Sequence, residues 1–239
     1  MNALRFDILP TATVQALTKL AKEPALAGFC LVDGTAIALQ AGHRRSLDID
    51  LAFFGPRLDK NGLHQAMRRL GATLITPQTM ISTAKINGID LLAYAQDYVL
   101  DGVKVQCFAH PQGALYEQGK QSIPEWIFAL ADLGSLFKMK SALMTQRTRS
   151  RDLFDLMCFC QQGKTLANIV AAAQEANDAP ETPVIVEHKL LGLLPLDIDD
   201  EGLDPVDVDF SLADIYRYFE NQVQTAEIAI AKEMLANKP

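Results

Sequence analysis

Alternating apolar and polar positions predict strands in the first half of the chain. The alternation over residues 47–54 favours one strand, and the short apolar run Phe29–Val32 favours another. From residue 72 to residue 108 the pattern indicates further strands, with Asn87-Gly88 and Asp101-Gly102 as two-residue turn signals. This part is therefore expected to form a sheet that a β-meander extends.

Helical spacing of apolar residues dominates the remainder. The predicted helices cover residues 11–27, 59–70, 124–146, 151–162, 165–177, 183–193 and 211–236. The layout predicts an α+β fold, with a mixed β-sheet and its helices over residues 1–120 and an α-helical domain over residues 121–239.

Composition narrows the class of protein. Hydrophobic residues make up 49% of the 239 residues, which is enough for a sizeable core. No apolar run approaches the roughly 18 residues that span a bilayer, and the first residues lack the features of a secretory signal. The four cysteines lie in apolar surroundings without a C-x-x-C pair, so they are expected to be buried, reduced thiols. These features favour a cytoplasmic protein with no membrane partner.

Charge is distributed unevenly within the net charge of −7. Residues 1–160 carry 17 Lys and Arg against 14 Asp and Glu, whereas residues 161–239 carry 5 against 15. A mildly basic front half suits an anionic substrate, although solvated helix surfaces would produce the same balance. The acidic run from Asp197 to Gly202 resembles the start of an EF-hand loop, but Val208 takes the position of the bidentate Glu. A flexible acidic loop is the prediction there.

Asp48 and Asp50 carry the strongest chemical signal. They are two apart on a predicted strand, so they project from one face about 6–7 Å apart. Carboxylates in this arrangement suit hard divalent cations such as Mg²⁺, unless the strand simply faces solvent. Just upstream, a strand, a turn at Gly34 and a helix N-terminus would form a cradle for phosphate. Together the two features indicate nucleotide chemistry.

Two blocks of sequence carry a specific pattern. The first block is Gly34-Thr35-Ala36-Ile37-Ala38-Leu39, Gly42-His43-Arg44 and Ser46-Leu47-Asp48-Ile49-Asp50-Leu51. The second block is Met139-Lys140 with Arg147, followed by Arg151-Asp152 and Asp155-Leu156. The two blocks, in this order, resemble the nucleotidyltransferase family that includes the AbiEii/AbiGii abortive-infection toxins, within the DNA polymerase β-like superfamily. The resemblance covers roughly residues 25–160.

The resemblance implies roles for these residues. Catalytic and metal-binding roles fall to Asp48 and Asp50, with Lys140 and Asp155 as further catalytic residues. Nucleotide-binding roles fall to Gly34, Thr35, Arg44, Ser46 and Arg147. Lys140 and Arg147 are seven residues apart, which predicts one helix face for both cations. The second block is expected to face the same cleft as Asp48.

The chain departs from the family pattern at two positions. Asp33 stands where most members have Gly, and its carboxylate would approach the phosphates that the turn should bind. The third metal-binding acid is also uncertain in position. Asp90 is the first choice, whereas the alternative alignment places Gln106 at the acid position and leaves two metal acids.

The expected function is a Mg²⁺-dependent nucleotidyltransferase. It would move a nucleotide from an NTP to an acceptor hydroxyl, with RNA as the expected acceptor. By family analogy the role is that of a toxin or phage-defence effector with a cognate antitoxin. Two alternatives stay open: a catalytically degenerate relative that binds a nucleotide or a partner, and a small-molecule nucleotidyltransferase.

Overall fold

The structure is a computed structural model that describes residues 3–110 and 119–236. The chain divides into two compact units, Met1–Leu136 and Phe137–Pro239. The first unit holds a mixed sheet with helices and the second is helical in its described part, so the predicted α+β class is confirmed. The predicted division at residue 120 stays a prediction. No helix in the described ranges combines the length and apolar character that crossing a bilayer requires.

The first unit contains seven strands among its described residues, in the order β3-β4-β5-β2-β1-β7-β6. The strands are β1 (Phe29–Val32), β2 (Ile49–Phe53), β3 (Thr73–Leu74), β4 (Ala95–Leu100), β5 (Val103–Ala109), β6 (Lys120–Ser122) and β7 (Ala129–Ala131). Its helices are α1 (Thr11–Leu20), α2 (Asp33–Ala41), α3 (Lys60–Arg69) and α4 (Gln78–Ile86).

The next helix, α5 (Leu133–Leu143), begins in the first unit and ends in the second. The remaining helices are α6 (Ser150–Gln161), α7 (Leu166–Ala176), α8 (Thr182–Leu190) and α9 (Leu212–Ala236). The predicted helices at 59–70, 151–162, 165–177, 183–193 and 211–236 are thus confirmed to within a few residues. The helix predicted over 11–27 ends at Leu20, and a short 3-10 turn, Pro24–Leu26, follows it.

The central strands confirm the alternation that the sequence predicted. β2 lies antiparallel to β1 and parallel to β5, and β5 pairs antiparallel with β4. Ile49 and Leu51 are fully buried, whereas Asp50 between them is half-buried on the other face. Because side chains alternate along a strand, this face of the sheet is where polar groups can collect.

The β-meander prediction was right about one turn and wrong about the other. Asp101-Gly102 does join β4 to β5, with Leu100 paired to Val103. Asn87-Gly88 instead ends helix α4, where Gly88 takes a φ of +73° and donates its N–H to the Lys85 carbonyl. A glycine in the left-handed region serves a tight hairpin and a helix C-terminus equally well, so the Asn-Gly signal was ambiguous.

The helix predicted over residues 124–146 is shorter than expected. β7 occupies residues 129–131 and pairs parallel with β1, and α5 begins only at Leu133. Asp132 marks the start, because its Oδ1 accepts the backbone N–H of Ser135 at 2.6 Å. The thiol prediction holds for Cys30, Cys107 and Cys160, which are buried, while Cys158 is half-buried.

Candidate active site

The turn between β1 and α2 is the proposed phosphate cradle. Asp33 is the first residue of α2 and has a φ of +57°, in the left-handed region. A glycine takes this conformation freely, and among other residues Asp and Asn tolerate it best. The backbone geometry therefore explains why a glycine suits this position. It also places the Asp33 carboxylate at the helix N-terminus, where an anionic group is electrostatically favoured.

Thr35 ties α2 to the segment that leads into β2. Its side chain is fully buried, and its hydroxyl donates to the backbone carbonyl of Asp48. The hydroxyl of Ser46 lies 2.9 Å from that of Thr35. A hydroxyl has one proton, so Thr35 donates to the carbonyl, which can only accept, and accepts from Ser46. The hydroxyl proton of Thr35 thus fixes the position of the Asp48 backbone. A phosphate at this turn would therefore have to be bound by backbone N–H groups.

Arg44 lies against the start of α2. A Cβ added to Gly34 would stand 2.7 Å from Arg44 Nη2 and 3.1 Å from Ser46 Oγ. Arg44 is only 5% exposed, and its Nη1 donates to the Arg45 carbonyl at 2.9 Å. The absence of a side chain at Gly34 therefore lets a buried guanidinium approach the helix N-terminus. The structure brings together the first block's predicted nucleotide-binding residues.

A polar row crosses three neighbouring strands beside this turn. Asp50 pairs with Gln106 across β2 and β5, and Gln106 pairs with Asp97 across β5 and β4. All three side chains are half-buried and occupy the face opposite the core. Gln106 Nε2 donates to Asp97 Oδ1 at 2.7 Å. We call these three residues the acidic row.

Asp97 was missed by the sequence reasoning, although a signal for it existed. A two-residue turn at Asp101-Gly102 pairs Leu100 with Val103. The residues three positions further from the turn on each strand, Asp97 and Gln106, are therefore paired as well. The hairpin was predicted, but its register was not followed to this pair.

Asp90, the first choice for a third metal ligand, lies outside the acidic row. It precedes a 3-10 turn, Leu91–Ala93, and forms an ion pair with Lys60. The carbonyl of Ala93 accepts the backbone N–H of Leu58, a residue that follows β2. This hydrogen bond places the segment of Asp90 beyond the C-terminal end of β2, whereas Asp48 precedes the N-terminal end of β2.

The donor set around Asp48 and the acidic row suits a hard cation. It offers carboxylate oxygens and one amide oxygen, and no His or Cys side chain belongs to it. Oxygen ligands of this kind are those that Mg²⁺ prefers. Burial raises the pKa of the neighbouring Cys107 thiol, and the carboxylates of Asp50 and Asp97 raise it further. That thiol therefore stays protonated.

A second cluster of charges lies within the second unit. Lys140 Nζ stands 2.6 Å from Asp152 Oδ1 and 3.0 Å from Asp155 Oδ2. Arg147 donates to Asp152 through two nitrogens, at 2.7 and 3.1 Å. The side chains of Lys140, Asp152 and Asp155 are each no more than 3% exposed. The two aspartates, three residues apart on α6, therefore lie on one face of the helix and share the cation of Lys140.

The prediction that Lys140 and Arg147 share a helix face was wrong. α5 ends at Leu143, and the following N–H groups of Met144, Thr145 and Gln146 bond to carbonyls three residues back. The Thr145 hydroxyl also donates to the Ala142 carbonyl. This tighter winding ends the regular α-helical spacing before Arg147. Both cations nevertheless reach Asp152. The expected meeting of this cluster with Asp48 stays a prediction.

The acidic run from Asp197 to Gly202 lies in a loop, as predicted, and hydrogen bonds connect this loop to the start of α6. Asp200 Oδ1 accepts both the N–H and the hydroxyl of Ser150 at 3.0 Å, at the start of α6. Asp199 pairs with Arg149 at 2.5 Å. The local sequence does not predict these contacts, because the complementary residues lie about fifty positions earlier in the chain.

A buried lysine of α8 holds the segment that carries Arg147. Lys189 on α8 is buried, and its Nζ donates to the Arg147 carbonyl at 3.1 Å. Burial lowers the pKa of Lys189, and the nearby Asp197 opposes this shift. Asp197 itself accepts the N–H of Thr148 at 3.1 Å. These contacts fix the backbone around Arg147, whose side chain donates to Asp152.

Residues 15–225 match the family model described as "Nucleotidyl transferase AbiEii toxin, Type IV TA system". A solved candidate nucleotidyltransferase of Helicobacter pylori is 17% identical, covers 92% of this chain and 95% of its own, and gives a TM-score of 0.50. JHP933 of the same organism is 14% identical, with 95% and 97% coverage and a TM-score of 0.49.

MenT4, a nucleotidyltransferase toxin of Mycobacterium tuberculosis, is a more distant structural relative. It is 11% identical, with 88% and 84% coverage and a TM-score of 0.48. No curated protein gives a significant sequence match. At these identities structural likeness bears on the fold alone, and the family match carries the assignment.

Proposed function

The chain belongs to the AbiEii nucleotidyl transferase toxin family, and on that premise we propose a Mg²⁺-dependent transfer of a nucleotide from an NTP to a hydroxyl group of RNA. The acceptor oxygen attacks the α-phosphorus of the NTP and loses its proton to the solvent. The bond from that phosphorus to the bridging oxygen breaks, and pyrophosphate leaves. Bound Mg²⁺ would neutralise charge on the phosphates during this in-line exchange.

One observation supports the proposal most directly. The buried hydroxyl of Thr35, on the first turn of α2, holds the backbone of Asp48 at the entrance to β2. The proposed phosphate cradle and the proposed metal-binding carboxylates are thereby joined by a hydrogen bond within one unit. A nucleotide with its metal needs both features within a few ångströms of each other.

Individual residues then take distinct roles. Asp48 and Asp50 hold the metal, and the backbone N–H groups at Gly34 and Thr35 bind phosphate oxygens with the help of Arg44. Lys140 and Arg147, from the second block of sequence, are the proposed phosphate-binding cations. Within their own unit Asp152 and Asp155 hold Lys140 in position.

The proposed acceptor and biological role rest on the family and on charge. Residues 1–160 carry a small excess of Lys and Arg, which suits a polyanionic acceptor. As a member of a toxin family the enzyme would act in the cytoplasm and would have a cognate antitoxin.

The test is label transfer by the purified protein. Each α-³²P-labelled NTP is incubated with Mg²⁺ and total RNA, and the label is followed into RNA and into the small-molecule fraction. We expect label in RNA, its loss on chelation of Mg²⁺, and its loss in Asp48→Asn and Asp50→Asn. Both variants should keep or gain stability, because each removes repulsion between neighbouring carboxylates. Asp101→Asn, in the exposed β4–β5 turn, is the matched control.

The outcomes separate the alternatives. Label in a small molecule would replace RNA as the acceptor. Transfer at the unaltered rate by Asp48→Asn or Asp50→Asn would refute the metal assignment. Absence of both nucleotide binding and transfer would favour a catalytically degenerate relative.

A further inference from the structure

Gln106 lies between two carboxylates of the acidic row. Adjacent strands are about 4.8 Å apart, so the Cα atom of Gln106 lies about 5 Å from that of Asp50. The Cα atom of Asp97, one strand further, lies about 10 Å from that of Asp50. A Mg²⁺ ion binds oxygens at about 2.1 Å, so one ion can reach Asp50 and the long side chain of its immediate neighbour. Asp97 is too far from Asp50 to share that ion.

The hydrogen bond to Asp97 determines how the amide of Gln106 is turned. An ionised carboxylate only accepts hydrogen bonds, so the NH₂ side of the amide must face Asp97. The carbonyl oxygen Oε1 is consequently turned away from Asp97 and is left to another partner.

The backbone of Asp97 is well placed to impose this orientation. Its N–H donates to the Thr76 hydroxyl at 2.8 Å, and its carbonyl accepts the Ile75 N–H at 2.8 Å. On its other side it pairs with β5 in the ladder. Asp97 is therefore anchored from both neighbouring segments.

We propose that Gln106 supplies its carbonyl oxygen as a third protein ligand of the metal, and that Asp97 is the positioning residue that orients it. The inference rests on the proposed function, whose metal it completes. A carboxylate at position 106 would stand against Asp97 at hydrogen-bond distance, where like charges repel. An amide avoids that repulsion and still offers an oxygen to a hard cation.

The experiment measures Mn²⁺ binding, because Mn²⁺ occupies the same oxygen-rich sites and its free fraction is read by electron paramagnetic resonance. Gln106→Met keeps the length of the side chain and removes the carbonyl oxygen. Asp97→Ala removes the acceptor that orients the amide. Asp97→Asn keeps an acceptor oxygen of the same reach and removes the charge. Gln106→Val, a good strand former, is the second variant should Gln106→Met fail to fold.

Four results are expected. Gln106→Met weakens Mn²⁺ binding by about 10- to 100-fold, and Asp97→Ala weakens it by about tenfold, in the range seen for groups that orient metal ligands. Asp97→Asn binds nearly as the parent does. The double variant Asp97→Ala/Gln106→Met is no weaker than Gln106→Met alone, because Asp97 acts through Gln106.

Other results identify which idea has failed. Undiminished binding by Gln106→Met overturns the inference, and so does equal weakening by Asp97→Asn and Asp97→Ala. In both cases Asp50→Asn still abolishes binding, and the proposed function survives. If the parent protein does not bind Mn²⁺, or if Asp50→Asn binds it as the parent does, the proposed metal site itself is refuted.

Discussion

Replacing Asp33 by Gly tests the proposed phosphate cradle most directly. The residue begins α2 with a φ of +57°, and it adds an acidic side chain to the helix end at which a phosphate would bind. Asp33→Gly removes the charge and gives the turn the residue best suited to its backbone. Asp33→Asn removes the same charge but keeps a side chain that tolerates the left-handed region.

The expected size of each effect follows from the geometry. A carboxylate about 5 Å from a phosphate charge, in a partly screened site, opposes binding by about 1–2 kcal/mol. Its removal should tighten Mg²⁺–NTP binding by about five- to thirty-fold. For the fold, relief of about 1 kcal/mol of left-handed strain is offset by about 0.4–1 kcal/mol of extra entropy in the unfolded glycine chain. The melting temperature should therefore change by only a few degrees.

The assay is calorimetric titration of the parent, Asp33→Gly and Asp33→Asn with each NTP in Mg²⁺, together with thermal unfolding of each protein. Both variants should bind more tightly by similar factors, because the charge is the common change. A gain in Asp33→Gly alone would assign the effect to the backbone. Equal, tight binding by all three would refute contact between this turn and phosphate. Binding by none would favour the catalytically degenerate relative.

Two further predictions concern the close packing around each motif. In Gly34→Ala the new Cβ must displace the end of Arg44, so the affinity for NTP should fall. The free energy of unfolding should change by no more than about 1 kcal/mol, because Ala favours the helix. Unaltered NTP affinity in the same titration would contradict this prediction. Lys140→Met should lower the free energy of unfolding in urea by about 3–5 kcal/mol, because it removes the buried cation of Asp155 and its neighbour. The matched control Lys138→Met breaks an exposed pair and should cost no more than about 1 kcal/mol, and equal losses in the two variants would refute the reasoning.

Local pattern was sufficient to predict the elements that position the first motif. Alternation identified β2, and the turn after Val32 identified the start of α2, because both signals lie within a few residues of the structure they specify. The same reasoning failed at Asn87-Gly88. A left-handed glycine closes a helix as readily as a hairpin, so the dipeptide alone does not decide between the two structures.

Contacts between distant segments account for most of what the sequence reasoning missed. The acidic composition after position 196 predicts a flexible loop, and it gives no sign that Asp200 accepts hydrogen bonds from Ser150 at the start of α6. Nothing in the local pattern connects the two positions. Asp97 differs in kind, since a predicted hairpin already fixed its pairing and the inference required only counting along the two strands.

Residues of both proposed sites are held in place by groups that lie outside the two sequence blocks. In the second unit Asp197 and Lys189 fix the backbone around Arg147. In the first, Asp97 turns the amide of Gln106. A glutamine at an expected acid position suggests loss of activity when it is considered alone. Beside Asp97 the glutamine is instead compatible with an active site. A neutral amide between two carboxylates avoids the repulsion that a third carboxylate would cause, and it still provides a metal-binding oxygen.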